Sequence, residues 1–320
     1  MINKIAIIIP WYGEIPTYLP LFLKGLEFNT SILDVLFITD LEVKDSVPTN
    51  FKKISLSWED LNKRIKKSIG KEANLETPYK LCDFRPMYGR IFEEEIAEYE
   101  FWGYGDIDLI YGDLKRFLPF DGIEKYDVLT FRENLMHGPF SILRNNSYIR
   151  NLYTKTNKLI DIISNPNCMA FDEAVLSKPW RDGVRLYNLI ELDGTWDWSS
   201  IIQHEADNGK LKLFERYYCL EAIQSESVLV YNRGKLNIGM EEYAFFHWVY
   251  HKKLNNFHIP QWKVVPDNFF IHKSGFYKKI NWLFFFEKRK REYKGKIITL
   301  YIKIRDSYNY QIKGKSAKSI

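Results

Sequence analysis

Asp106 and Asp108 flank a single residue in the segment Phe101-Trp102-Gly103-Tyr104-Gly105-Asp106-Ile107-Asp108-Leu109-Ile110-Tyr111-Gly112-Asp113. Side chains alternate along a strand with a period of two, so both carboxylates point to one side if the chain stays extended there. Two carboxylates at a strand end can share a hard divalent cation. Mg²⁺ or Mn²⁺ takes oxygen ligands and keeps positions open for diphosphate oxygens, whose charge it offsets. The plainer alternative is an acidic surface turn, but the aromatic run before the pair and apolar Ile107, Leu109 and Ile110 around it favour the cation.

Further groups with chemistry to offer lie on either side. Lys80, Asp83 and Arg85 fall in Pro78-Tyr79-Lys80-Leu81-Cys82-Asp83-Phe84-Arg85-Pro86. A guanidinium can fork onto a phosphate or a carboxylate. Asp83 can accept from a ribose or a base, and Lys80 is another phosphate candidate; an Asp-Arg pair serving structure alone is the competing reading. Trp11 and Tyr12 follow Pro10, and their rings can stack on a uracil or belong to the core. In Phe171-Asp172-Glu173-Ala174, Asp172 stands where it can cap a helix and Glu173 where it suits the helix dipole. His137-Gly138-Pro139 precedes a strand, as a pocket border or a satisfied loop. Phe245-Phe246-His247-Trp248-Val249-Tyr250-His251-Lys252 packs two imidazoles and a lysine among aromatics.

The elements that must position these groups read as alternating strands and helices. Lys4 to Ile9 is a β-branched run ended by Pro10, the pattern of a strand buried on both faces. A helix over Thr17 to Phe28 follows, with Pro20 in its first turn, then strands at Asp34 to Thr39 and Lys53 to Ser57. Trp58, Leu61, Ile65 and Ile69 share one side of a helix over Trp58 to Ile69. The pattern predicts a helix over Pro86 to Tyr99, a strand over Glu100 to Gly105, and strands at Asp127 to Arg132 and Pro139 to Leu143. Helices are expected over Ser147 to Ile163 and Phe171 to Ser177, and short aromatic strands from about 180 to 270. This order implies an α/β fold, a mainly parallel sheet flanked by helices, with ligands beyond the carboxyl ends of its strands. One catalytic domain over residues 1–270 and a basic, aromatic tail over 271–320 are expected.

The order of features resembles the GT-A class of glycosyltransferases over roughly residues 4 to 260. The stretches Pro78 to Pro86 and Trp102-Gly103-Tyr104-Gly105-Asp106-Ile107-Asp108 look like an uncharacterised bacterial family found with capsule and lipopolysaccharide genes. The resemblance implies a GT-A, Rossmann-like sheet and transfer of a sugar from a nucleotide-sugar, UDP-linked, to a glycan or lipid-linked oligosaccharide. It makes Asp108 the principal ligand of Mn²⁺ or Mg²⁺ and Asp106 the auxiliary one. It puts Pro10, Trp11 and Tyr12 at the nucleobase, and Asp172 or Glu173 where inverting members take the proton from the acceptor hydroxyl. His247 and Lys252 resemble the C-terminal His on the metal and Lys on the diphosphate of some retaining families, although the usual Gly and Pro-Trp are missing. Stereochemistry therefore stays open between inversion and retention.

At 320 residues, 46% of them hydrophobic, the chain can build a substantial core, and no apolar run approaches the ~20 residues of a spanning helix. The first residues are too briefly apolar for a signal peptide, and three scattered cysteines fit a reducing compartment, so a cytoplasmic location is expected. Net charge is +5, but Lys273 to Lys318 holds 14 Lys or Arg against 3 acids, leaving 32 basic and 38 acidic residues before it. Such a tail, with Trp282, Phe284, Phe285 and Phe286, suits an anionic membrane surface at the inner face, or else a solvated terminus. No nucleic-acid recognition motif is present. A metal-dependent phosphohydrolase or nucleotidyltransferase is a rival reading, without a Walker-type or G-x-G-x-x-G motif to support it. A non-catalytic glycan-binding module, using the 16% aromatic residues as platforms, is another.

Overall fold

The β-branched run near the start forms β1 (Ile5–Pro10), whose side chains are buried on both faces until Pro10. Along the chain follow β2 (Leu33–Thr39), β3 (Phe51–Ser55), β4 (Phe101–Gly105), β5 (Leu109–Tyr111), β6 (Val128–Thr130), β7 (Phe140–Arg144) and β8 (Leu213–Glu215). Then come β9 (Cys219–Leu220), β10 (Leu229–Asn232), β11 (Lys235–Ile238), β12 (Glu241–Tyr243), β13 (Phe245–His247), β14 (Asn268–His272) and β15 (Gly275–Tyr277). This computed structural model describes residues 5–133, 135–173, 197–224 and 227–280, together with Arg289, Tyr293, Lys296 and Ile297.

The fold is mixed α/β with three sheets. The largest has the order β3-β2-β1-β4-β7-β6-β8. Its strands β3, β2, β1 and β4 pair in parallel, as do β6 and β8, while β7 runs antiparallel to both β4 and β6. The sheet is therefore mixed, with β7 running against the other six strands. Alternation along β1 feeds two layers: Ile5, Ile7 and Ile9 join the layer of the helix Leu19–Leu26, and Ala6 and Ile8 join that of the helix Trp58–Ser68. Ser57 caps the second helix by accepting from the Asp60 N–H at 3.0 Å, a contact worth about 1 kcal/mol.

A three-stranded sheet, β5-β13-β9, and a five-stranded antiparallel one, β12-β11-β10-β14-β15, complete the architecture. The helix Leu19–Leu26 lies directly on β5, because a Cβ at Gly25 would stand 2.6 Å from the Tyr111 backbone nitrogen. The boundary expected at residue 270 falls within β14, and the five-stranded sheet continues to Tyr277. Among the described residues no helix is long and apolar enough to cross a membrane.

Two expected helices are shorter than their patterns. Helical structure after Pro86 stops at Ile91 in place of Tyr99, where Gly89 is pressed against the Trp102 indole and the chain continues in turns. The stretch from Ser147 divides into the helices Ser147–Asn151 and Leu159–Ser164. Between them Thr156 is extended and its hydroxyl accepts from the Lys158 N–H at 3.2 Å, a local bond that competes with the helical one. Of the helix expected over Phe171 to Ser177, Phe171 to Glu173 form a turn, and Ala174 onward lies outside the described residues.

Candidate active site

β4 delivers Asp106 to the end of the central sheet, but the chain does not stay extended there. It bends at Ile107 and Asp108 before entering β5. Two backbone bonds fix the bend: the Asp106 N–H donates to Pro139 O at 3.0 Å and the Trp248 N–H donates to Asp108 O at 3.2 Å. β5 pairs antiparallel with β13 in a register that sets Leu109 opposite His247. β13 in turn pairs in parallel with β9, so Glu221, the residue after β9, arrives at the same corner.

Each carboxylate of the pair gives one oxygen to a cation and turns the other toward His247. Asp106 Oδ1 accepts from Arg85 Nη2, and its Oδ2 lies 3.8 Å from His247 Nε2. Asp108 Oδ2 takes Lys252 Nζ at 2.6 Å, and its Oδ1 lies 3.6 Å from the same His247 Nε2. The last two separations are too long for hydrogen bonds, and His247 is buried with neither ring nitrogen bonded. Two carboxylate oxygens and an imidazole nitrogen thus converge, unshared by any donor among the described residues, a set that can hold a divalent cation. A buried polar atom left without a partner costs about 1–3 kcal/mol, so a cation here would answer a deficit already built into the fold.

The electrostatics agree. Burial disfavours a charged His247, yet Glu221, Asp108 and Asp106 raise its pKa above the usual imidazole value. Burial likewise works against Lys252, and Asp108 more than restores it, leaving its pKa raised. Glu221 is held well below the usual carboxylate range: burial opposes this, but His137, His247 and Arg132 outweigh it. His137 is pushed down to about 4, chiefly by burial, and is neutral at pH 7.

Asp106, Asp108, Glu221, His247 and Lys252 line one cavity of about 780 Å³. Its lining includes Pro10, Trp11, Tyr12 and Tyr18, the group Asp106, Asp108, His247 and Lys252, and Arg85, Asp172 and Glu173; Lys252 Nζ lies 5.7 Å from the Tyr18 ring centre. Arg85 bridges the carboxylates, with Nη1 donating to Asp172 Oδ2 at 2.7 Å and Nη2 to Asp106. Burial drives the Asp172 carboxyl up, against the pull of Arg85. Glu173 accepts from the Gly138 N–H through Oε1 at 3.1 Å. A Cβ at Gly138 would stand 2.6 Å from Glu173 Oε1 and 2.9 Å from Asp172 Oδ2, so a larger residue there would push these carboxylates aside.

The structure does not bring every expected residue to the cavity. Lys80 and Asp83 are fully buried and bonded to each other at 2.7 Å. Lys80 also donates to the carbonyls of Ile162 and Asn167, and Asp83 accepts from the Met169 and Phe171 N–H groups. With their bonding used internally, they fix the segment that leads to Asp172, and the phosphate and ribose contacts expected of them are out of reach. Tyr12 turns its hydroxyl to Leu56 O and its ring edge to Trp58, which leaves Trp11 as the more open ring. His251 accepts from the Ile223 N–H at 3.1 Å within an aromatic cluster, away from the carboxylates. Conversely Glu221, Arg132 and Tyr18 were not singled out in the sequence. Glu221 follows a strand of two residues and belongs to no motif, so only the β9–β13 pairing reveals it.

Residues 7–280 match a family described as "Family of unknown function (DUF6625)", and the chain belongs to that family. No curated protein matches the chain.

Proposed function

We propose that the protein is a metal-dependent glycosyltransferase of the GT-A type. It moves a sugar from a nucleoside diphosphate sugar, UDP-linked, to a glycan or lipid-linked oligosaccharide in surface polysaccharide synthesis. The observation that carries this reading is the convergence of Asp106 Oδ2, Asp108 Oδ1 and His247 Nε2 beside Lys252, within a cavity whose lining also includes Trp11, Tyr12, Asp172 and Glu173. A bound Mn²⁺ or Mg²⁺ supplies positive charge to the departing diphosphate.

The chain's own residues do the rest. Trp11 offers a face for the nucleobase, and Lys252, held against Asp108, stands ready to exchange that carboxylate for a phosphate oxygen. Arg85 keeps Asp106 and Asp172 in place by binding both. Of Asp172 and Glu173, Glu173 is the one we assign as base: it uses Oε1 on Gly138, whereas Asp172 is engaged by Arg85. Because these charges are preset in a partly enclosed site, they stabilise the leaving group without reorganising at the moment of reaction.

The test is a thermal-shift panel of nucleotides and nucleotide-sugars with and without Mn²⁺, followed by Mn²⁺-dependent hydrolysis of the best donor. Stabilisation by a nucleoside diphosphate only when Mn²⁺ is present is expected. Hydrolysis of simple phosphate esters with no response to nucleotides would point to a phosphohydrolase, and glycan binding without any hydrolysis would point to a lectin-like module.

A further inference from the structure

Glu221 contributes nothing to the three converging atoms, yet it is heavily engaged directly behind them. Its Oε2 accepts from Arg132 Nη2, and its Oε1 lies 3.3 Å from His137 Nε2 and 3.6 Å from His247 Nδ1. A carboxylate can only accept, so His137 turns an Nε2–H toward it. The His137 ring also stacks on Phe245, with centroids 5.6 Å apart at 26°, and Phe245 belongs to the strand that carries His247. Arg132, His137 and β13 thus form a frame that fixes Glu221 and His247 relative to each other. Around the His247 ring, Glu221 lies on the Nδ1 side, and Asp106 and Asp108 lie on the Nε2 side.

We propose that Glu221 is a positioning residue for His247: by accepting from Nδ1–H it keeps the proton on that nitrogen and aims the Nε2 lone pair at a divalent cation between Asp106 and Asp108. The inference rests on the metal reading above. Its physical basis is general, since an imidazole that ligates through one nitrogen is oriented by what the other nitrogen donates to. The hydrogen bond the proposal invokes requires the 3.6 Å separation between His247 Nδ1 and Glu221 Oε1 to shorten.

Mn²⁺ alone is titrated into the full chain and the free ion followed by electron paramagnetic resonance. The proteins are wild type, Glu221→Gln, His247→Ala and the double variant. Glu221→Gln is expected to weaken Mn²⁺ binding about 10-fold, the lower end of the range for such outer contacts. In the His247→Ala background the same replacement is expected to change affinity by less than about twofold, because Glu221 acts only through the ring. Equal losses in both backgrounds would make Glu221 a general structural residue and overturn the proposal, as would unchanged binding by Glu221→Gln. Two Mn²⁺ per wild-type chain, one of them lost with Glu221, would make it a ligand and overturn the proposal as well. If Glu221→Gln does not fold, Glu221→Asp withdraws the carboxylate while keeping a charge for Arg132, and the same comparison decides. Failure of wild type to bind Mn²⁺ with or without UDP removes the metal reading and this inference together. That outcome differs from a wild type that binds and is indifferent to Glu221.

Discussion

Asp108 sits between two demands, one oxygen facing His247 and the other held by Lys252 at 2.6 Å. Its replacement by Ala removes an oxygen from the proposed metal site and also frees Lys252 from its place. We expect Asp108→Ala, and less severely Asp106→Ala, to lower Mn²⁺-dependent transfer by about 10³-fold or more, a barrier increase of about 4 kcal/mol. The fold should survive, because Lys252 is 29% exposed and can turn to water when Asp108 is lost, and Arg85 keeps Asp172 as a partner when Asp106 is lost. Near-normal turnover by either variant, beside a chelator-sensitive wild type, would remove the metal from the mechanism. Glu173→Gln should lower kcat by about 10² with donor affinity little changed, as loss of a general base does. Steady-state kinetics with donor varied separates this from a positioning role, which would change donor binding and leave kcat alone.

Between elements, the most informative contact is the Lys80–Asp83 pair, which ties the short helix Leu81–Phe84 to the carbonyls of Ile162 and Asn167 and to the Met169 and Phe171 N–H groups. Removing one partner of a buried ion pair strands the other charge, at a cost of about 3–5 kcal/mol. Lys80→Met is therefore expected to lower the urea midpoint sharply while leaving nucleotide affinity per folded molecule intact. A phosphate-binding lysine would give the opposite result, weaker nucleotide binding with unchanged stability, and a titration of the variant distinguishes the two.

For the whole molecule, buried histidines set a pH dependence. His137 and His251 are both pushed down to about 4, chiefly by burial. In the unfolded chain each titrates near the ordinary 6.5, so between about pH 6.5 and 4 the unfolded state binds protons the folded state refuses. Stability is therefore full above that window and falls as pH is lowered through it. His247, raised instead, works in the other direction, losing its contribution as pH rises, so the comparison is made against a variant. His251→Phe should cost about 1–3 kcal/mol at pH 7, because the Ile223 N–H loses its acceptor, yet show a shallower decline toward pH 4. Melting temperatures of both proteins across that range test this; parallel curves would exclude His251 as a source of the slope. The basic tail belongs to the same scale. With each cationic group contributing about 1 kcal/mol near an anionic surface, truncation after Asn281 should spare activity on a soluble acceptor analogue and reduce co-sedimentation with anionic liposomes. Binding should also weaken with salt, and a full-length chain that never binds such liposomes would end the membrane reading.

The sequence by itself determined the parts whose cause is local. β1, β2 and β4 lie within a residue or two of where their apolar runs put them, because a strand covered on both faces must be apolar throughout. The helix Trp58–Ser68 follows from its apolar side, and the Asp106–Asp108 pair is visible as a spacing, although a bend at Ile107 and Asp108 replaces the extended backbone that spacing assumed. Tertiary structure alone decided what depends on segments distant in sequence. The β5–β13 register brings His247 to Asp108, and the β9–β13 pairing brings Glu221 behind it. The burial that turns Lys80 and Asp83 into an internal clamp was likewise invisible in their residue types, which suit a phosphate site equally well. Local propensity carries no record of which distant strand will be the neighbour. That choice is made by the summed packing of Phe245, Tyr111 and the layers around them, and with it the position of each converging carboxylate and imidazole atom.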